Sequence, residues 1–297
     1  MSVSNGKTRN LAVDVAIGII LVIAASALLL HLSSTDAEFS RYNLQWNGTS
    51  DFFDALESHG SVMVRDPAVL GSQQNETLLM IAPSRAPTEK EGAVYEKFVK
   101  SGNTLVLVDD FGSGNEILEA IGASVRLDHG NLSSHSREFE VSYAPIGYTV
   151  AGRWLVADLS KVVFNHPVAV SGGYPLINTT HLSWIDDDGD GRVNRLEPMK
   201  QFTVATVEDI GPGRVVVIGD ASLFINAMQG LPDCDNGLLL ERLVTETTFV
   251  DQELSQTAVA AGPISIFLWV RETPSLVVLV TALSLGVVAW SFTRRRG

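Results

Sequence analysis

Between residues 88 and 110 the apolar positions change rhythm once, from a helical stripe to an unbroken run. Ala93, Val94, Tyr95, Phe98 and Val99 include an apolar stripe at helical spacing. Thr88 and Glu91 stand at capping-box spacing, so both side chains can satisfy backbone donors at the helix start. Gly102 supplies the left-handed stop. The run 104–108 then reads as a parallel strand covered on both faces. Asp109, Asp110 and Gly112 close it, at the strand end where α/β proteins usually place their sites.

The same alternation recurs on either side. A helix capped by Thr49 or Ser50 runs through Ser58 to Gly60, with Phe52, Phe53 and Leu56 on its packing face. Strands are expected at 61–64 and 77–82, a short helix at 115–121 ending on Gly122, and a further strand at 124–127. From 130 to 207 the rhythm breaks into short alternating runs, such as 138–143 and 162–170, which read as antiparallel strands or loops. A buried strand returns at 214–220, followed by helices at 221–228 and 236–245. The expected fold is α/β, a mostly parallel sheet with helices on both faces and an inserted β-rich segment at about 130–207.

Two longer apolar runs frame this pattern, at 15–32 and 276–292. Each approaches the roughly 20 residues needed to cross a hydrocarbon core. Lys7 and Arg9 precede the first, and Arg294, Arg295 and Arg296 follow the second. The positive-inside rule therefore puts 1–14 and 293–297 in the cytoplasm and the domain at 33–253 outside, with 254–275 as a juxtamembrane connector where Trp269 suits the interface. A cleaved signal peptide is the alternative for the first run, although its length favours an anchor. The lipid bilayer is thus an expected partner.

Charge and cysteine narrow the picture. Between the two runs lie 33 of the 34 acidic residues but 16 of the 21 basic ones, a balance of −17 that argues against nucleic acid. Cys234 is the single cysteine, so no internal disulfide forms. Asn47, Asn75, Asn131 and Asn178 each begin an N-glycosylation sequon, and all four fall in the expected exterior segment.

The sharpest chemical motif is the loop 186–197, DDDGDGRVNRLE. Counting Asp186 as first, side-chain oxygens fall at Asp188, Asp190, Asn194 and Glu197, with the Arg192 carbonyl as backbone ligand and Gly191 at the turn. This matches the calcium loop of EF-hand and dockerin proteins at every ligand position. A hard cation wants about six to eight oxygens, and alternate residues of a tight loop can all point inward. No helix is evident before the loop, and Pro198 opposes one after it. The expected cofactor is calcium in a structural role, with a solvated acidic turn as the alternative.

Catalytic signatures are missing from the sequence: it has no Gly-x-Ser-x-Gly elbow, no HExxH and no phosphate loop. Asp109, Asp110 and Asp220 are candidates for a carboxylate cluster at adjacent strand ends, with capping of those ends as the simpler reading.

The segments 40–56, 87–110 and 213–243 together resemble membrane proteins of the domain-of-unknown-function 4350 family. SRYNLQWNGTSDFFDAL, PTEKEGAVYEKFVKSGNTLVLVDD and GRVVVIGDASLFINAMQGLPDCDNGLLLERL carry the likeness. The resemblance implies a class-I glutamine-amidotransferase-like, flavodoxin-like exterior domain without an accepted activity. Where that fold uses a strand-end cysteine with a histidine, this chain has Asp109 and Asp110. The functional expectation is a non-catalytic, membrane-anchored binding or assembly module with an unidentified protein partner. An accessory subunit of an ABC-type transport system and a degenerate hydrolase are the alternatives.

Overall fold

Along three neighbouring strands, successive side chains enter opposite cores. In β2 (Thr77–Ile81), Leu78 and Met80 face one core while Leu79 and Ile81 face the other. In β3 (Thr104–Val108), Leu105 and Leu107 alternate with Val106 and Val108. Val215 and Val217 of β12 (Gly213–Ile218) alternate likewise with Val216 and Ile218. A sheet apolar on both faces needs cover on both, and helices supply it.

The computed structural model describes residues 34–150, 154–244, 248–260 and 262–273, with scattered positions in the two terminal stretches. Its other strands are β1 (Val62–Val64), β4 (Arg126–Leu127), β5 (Asn131–Ser134), β6 (Ile146–Thr149) and β7 (Lys161–Val163). They continue with β8 (Val170–Ser171), β9 (Tyr174–Asn178), β10 (Ser183–Asp186), β11 (Thr203–Ile210) and β13 (Thr248–Asp251). Nine of the thirteen described strands form one sheet, in the order β1-β13-β2-β3-β12-β11-β9-β6-β7. From β1 to β12 every pairing is parallel, and from β12 to β7 every pairing is antiparallel. The parallel half comes from the segments with strand-helix rhythm, and most of the antiparallel half comes from 130–207.

Helix α1 (Ser50–Ser58) packs Phe52, Phe53 and Leu56 into one core, where Phe52 meets Phe224 edge-to-face at 4.7 Å. Helices α2 (Glu89–Lys100) and α3 (Gly114–Ala120) cover the other with Tyr95, Phe98, Val99, Ile117 and Leu118. The capping box at the start of α2 is complete. Glu91 N donates to Thr88 Oγ1 at 3.3 Å, and Thr88 N donates to Glu91 Oε2 at 2.7 Å. Gly102 ends the helix at φ +96°, a conformation that costs glycine little. Each fully buried aliphatic or aromatic side chain contributes about 1.5–3 kcal/mol, so these two cores outweigh the surface ion pairs.

One expected element needs correction. The helix expected at 221–228 is a 3-10 turn (Ala221–Phe224) and a separate short helix α4 (Asn226–Gln229), because Ile225 turns extended at ψ 151°. Of the two readings of 138–143, strand or loop, the run takes the loop, with one isolated bridge beside it, Arg137 to Pro145. Strand β13, which the hydrophobic pattern did not signal, lies between β1 and β2. Helix α5 (Asn236–Leu243) then completes the first core with Leu239, Leu240 and Leu243.

The chain divides into two units, Asp36–Val259 and the terminal stretches Met1–Thr35 with Ala260–Gly297. In the second, Pro263–Glu272 is helical. Among the described residues no helix is long and apolar enough to cross a membrane. The runs expected to do so, 15–32 and 276–292, lie almost wholly outside the described residues.

Candidate functional site

Strand β10 delivers Asp186, buried, to the mouth of the 186–197 loop. Antiparallel pairing with β5 sets Asp186 opposite Asn131, and fully buried Trp184 anchors the strand beneath. Past the loop, Lys200 N donates to Ser183 O at 2.9 Å and closes its base. A strand and a bridge thus stand where an EF-hand has helices.

Within the loop the chain turns on Gly189 and Gly191, both left-handed at φ +71° and +69°. The carboxylates are held by loop amides. Asp186 Oδ2 accepts from Gly191 N at 3.0 Å, Asp188 Oδ1 from Asp190 N at 3.2 Å, and Asp190 Oδ1 from Arg192 N at 2.7 Å. Asp188 Oδ2 accepts from Asn194 Nδ2 at 3.2 Å, and Asn194 Oδ1 accepts from Leu196 N at 2.8 Å. Glu197, buried, reaches back across the loop to accept from Asp187 N at 3.0 Å and Asn194 N at 3.1 Å.

These bonds orient the side chains without neutralising them. Ligand oxygens of Asp186, Asp188 and Asp190 lie within 4.8 Å of one another. No ion pair joins them to a lysine or arginine among the described residues. Asp186 Oδ1 is buried and meets no hydrogen-bond donor. A buried, unpartnered carboxylate oxygen beside two further carboxylates is costly on its own. The donor set is all hard oxygen, which fits calcium and does not fit a soft metal. Asp186, Asp188, Asp190, Asn194 and Glu197, with the Arg192 carbonyl, are the residues that would hold the ion.

The second group of candidates divides. Asp109 and Asp220 follow the adjacent parallel strands β3 and β12, as the sequence anticipates. Asp109 is 1% exposed, and its carboxyl caps the turn into α3 by accepting from Gly112 N at 3.1 Å and Gly114 N at 2.7 Å. Burial pushes it up to about 7 despite those bonds. Asp220, fully buried, accepts from Asn165 N at 2.6 Å and Ser222 N at 2.8 Å, and burial likewise holds its pKa well above the usual carboxylate range. Both oxygens of each are therefore committed to backbone. Asp110 differs. It accepts locally from Phe111 N at 2.7 Å and borders an open cavity of about 550 Å³. Strand-end capping accounts for two of the three carboxyls, and Asp110 is the one of the three that remains toward the cavity.

The walls of that cavity were missed by the sequence reading. They include Glu38, Trp46, Phe111, Tyr143 and His166, from well-separated segments with no shared motif. Tyr143 and His166 stack with ring centroids 3.9 Å apart.

The sequons also differ. Asn75 is exposed on a turn at φ +59°. Asn47 Oδ1 accepts from Asn43 Nδ2, Asn178 Oδ1 accepts from Thr203 Oγ1, and Asn131 Oδ1 is buried without a donor.

The model of a domain of unknown function (DUF4350) matches residues 41–244. No curated protein matches the sequence. Among solved structures, the mmIFT52 N-terminal domain is similar at TM-score 0.45 and 12% identity, over 61% of this chain and 82% of that one. A β-galactosidase from Bacillus circulans sp. alkalophilus is similar at TM-score 0.33 and 11% identity, over 50% of this chain and 21% of that one. Cytoplasmic protein STM1381 from Salmonella typhimurium LT2 is similar at TM-score 0.33 and 7% identity, over 65% of this chain and 81% of that one. Likenesses this faint bear on no functional statement.

Proposed function

The chain belongs to the family described as a domain of unknown function (DUF4350), and from that premise we propose that it is a membrane-anchored exterior binding or assembly module with a structural calcium site. The observation that carries the calcium reading is the buried Asp186 Oδ1, unpartnered and set among the carboxylates of Asp188 and Asp190. A divalent cation there satisfies that oxygen and removes the repulsion among three carboxylates. Its role is structural, because the loop's own oxygens fill most of a calcium shell. The membrane reading rests on the apolar runs 15–32 and 276–292 and their basic flanks. The parallel half-sheet, covered on both faces, supports an amidotransferase-like reading of the domain. That two of the three strand-end carboxyls are spent on backbone favours binding over hydrolysis.

Thermal melting of the full-length chain in detergent tests the calcium site. Calcium in the millimolar range is expected to raise Tm over EDTA, by the equivalent of roughly 2.7 kcal/mol at a hundredfold excess over Kd. Asp186→Asn and Glu197→Gln are expected to abolish the response. An unchanged parent Tm would remove calcium from this reading. Membrane placement is tested separately: protease added to intact cells should cut the domain, and a domain cleaved only in opened cells lies inside.

A further inference from the structure

The cavity at the strand ends has a composition that singles out one class of ligand. Trp46 is 65% exposed and Phe111 60% exposed, two large aromatic side chains presented to solvent at one opening. Tyr143, stacked on His166, adds a third aromatic surface. Glu38 and Asp110 supply carboxylates, and no lysine or arginine is among the described lining residues. Burial lowers the pKa of His166, which disfavours a positive charge on its ring. An anionic ligand meets only repulsion here. An inorganic cation is better served elsewhere, since the cluster with metal-ligand spacing among the described residues is the 186–197 loop. Aromatic faces beside carboxylates suit a positive charge carried on carbon, whose weak hydration lets it leave water for a ring.

We propose that this cavity binds an organic ammonium group, with Asp110 and Glu38 as counter-charges and Trp46, Phe111 and Tyr143 as the faces against its alkyl substituents. The proposal rests on the binding-module reading and deepens it by naming a ligand class, and it uses none of the residues that would hold calcium. Asp110 is the sensitive member: burial already raises its pKa, so a bound cation replaces missing solvent.

The test is calorimetric titration of the full-length chain with choline and with its uncharged isostere, 3,3-dimethyl-1-butanol. Saturable choline binding is expected, with the isostere at least tenfold weaker. Trp46→Ala and Asp110→Asn should each weaken choline at least tenfold while circular dichroism stays unchanged. Trp46 is exposed, so its variant remains informative if Asp110→Asn fails to fold. The calcium reading is scored by Tm and choline binding by heat, so failure of the one is distinguishable from failure of the other. No choline binding, equal binding of the isostere, or a Trp46→Ala variant that binds like the parent overturns the proposal.

Discussion

The hydroxyl of Tyr95 donates to Asp251 Oδ2 at 3.0 Å, tying helix α2 to the end of β13. Oδ1 of the same carboxyl accepts from Leu254 N at 2.8 Å and Ser255 N at 3.0 Å. Ser255 Oγ in turn receives Ile81 N at 3.2 Å, so one buried carboxyl joins α2, β13, β2 and the chain that follows β13. Removing the phenol withdraws a donor from a carboxyl that has no water to replace it. Tyr95→Phe is therefore expected to cost about 1–3 kcal/mol in urea unfolding. A loss below about 0.5 kcal/mol would mean that the backbone donors alone satisfy Asp251.

The buried carboxyl of Asp109 makes stability depend on pH in an unusual direction for an acid. Its ordinary value is 3.8 and burial raises it to about 7, so between these values the folded chain binds a proton that the unfolded chain does not. Its contribution is complete below about pH 4 and is lost as pH rises through about 7. Asp109→Asn, which carries no titrating proton, should lack this trend. The stability of the parent minus that of the variant should fall steadily from pH 4 to pH 7 in urea unfolding. Parallel curves would show that Asp109 titrates normally.

What the sequence discloses depends on how local the cause is. Helix α2 and strand β3 were legible because the capping box, the stripe and Gly102 all act within one turn of their own positions. The tight loop that gathers Asp186, Asp188 and Asp190 was legible for the same reason. Strand β13 was not, because its four residues gain their place by pairing with β1 and β2, far earlier in the chain. The helix expected at 221–228 failed on a tertiary cause: Ile225 turns extended, and the amides of Asn226 and Ala227 donate to Gly48 O at 2.7 Å and Trp46 O at 3.0 Å, in a distant segment. The aromatic cavity follows this second pattern, since Trp46, Phe111 and Tyr143 meet only once the sheet has formed.

Glycine positions give a sharp check on that sheet. Gly213 opens β12, and a Cβ there would fall 1.9 Å from Val99 O and 2.5 Å from Asn103 O. Both are backbone atoms at the end of α2, fixed by the helix and by β3, so neither can step aside. Gly213→Ala is expected to destabilise by about 3 kcal/mol. Gly71 has nothing within 4 Å of its would-be Cβ, and Gly71→Ala should stay within about 0.5 kcal/mol of the parent. Comparable losses in the two variants would contradict the packing of β12 on α2.

The sequons connect local structure to membrane placement. Asn75 is exposed, with no strand neighbour competing for its amide, whereas Asn178 lies in β9 and receives Thr203 Oγ1 at 2.9 Å. A glycan needs an accessible amide on the exterior side. Expressed in a host with N-glycosylation machinery, the full chain should run faster on a gel after glycosidase treatment. Asn75→Gln should remove most of that shift, and Asn178→Gln should leave it in place. A chain that carries no glycan would contradict the prediction, whereas a shift that survives Asn75→Gln would reassign the occupied site.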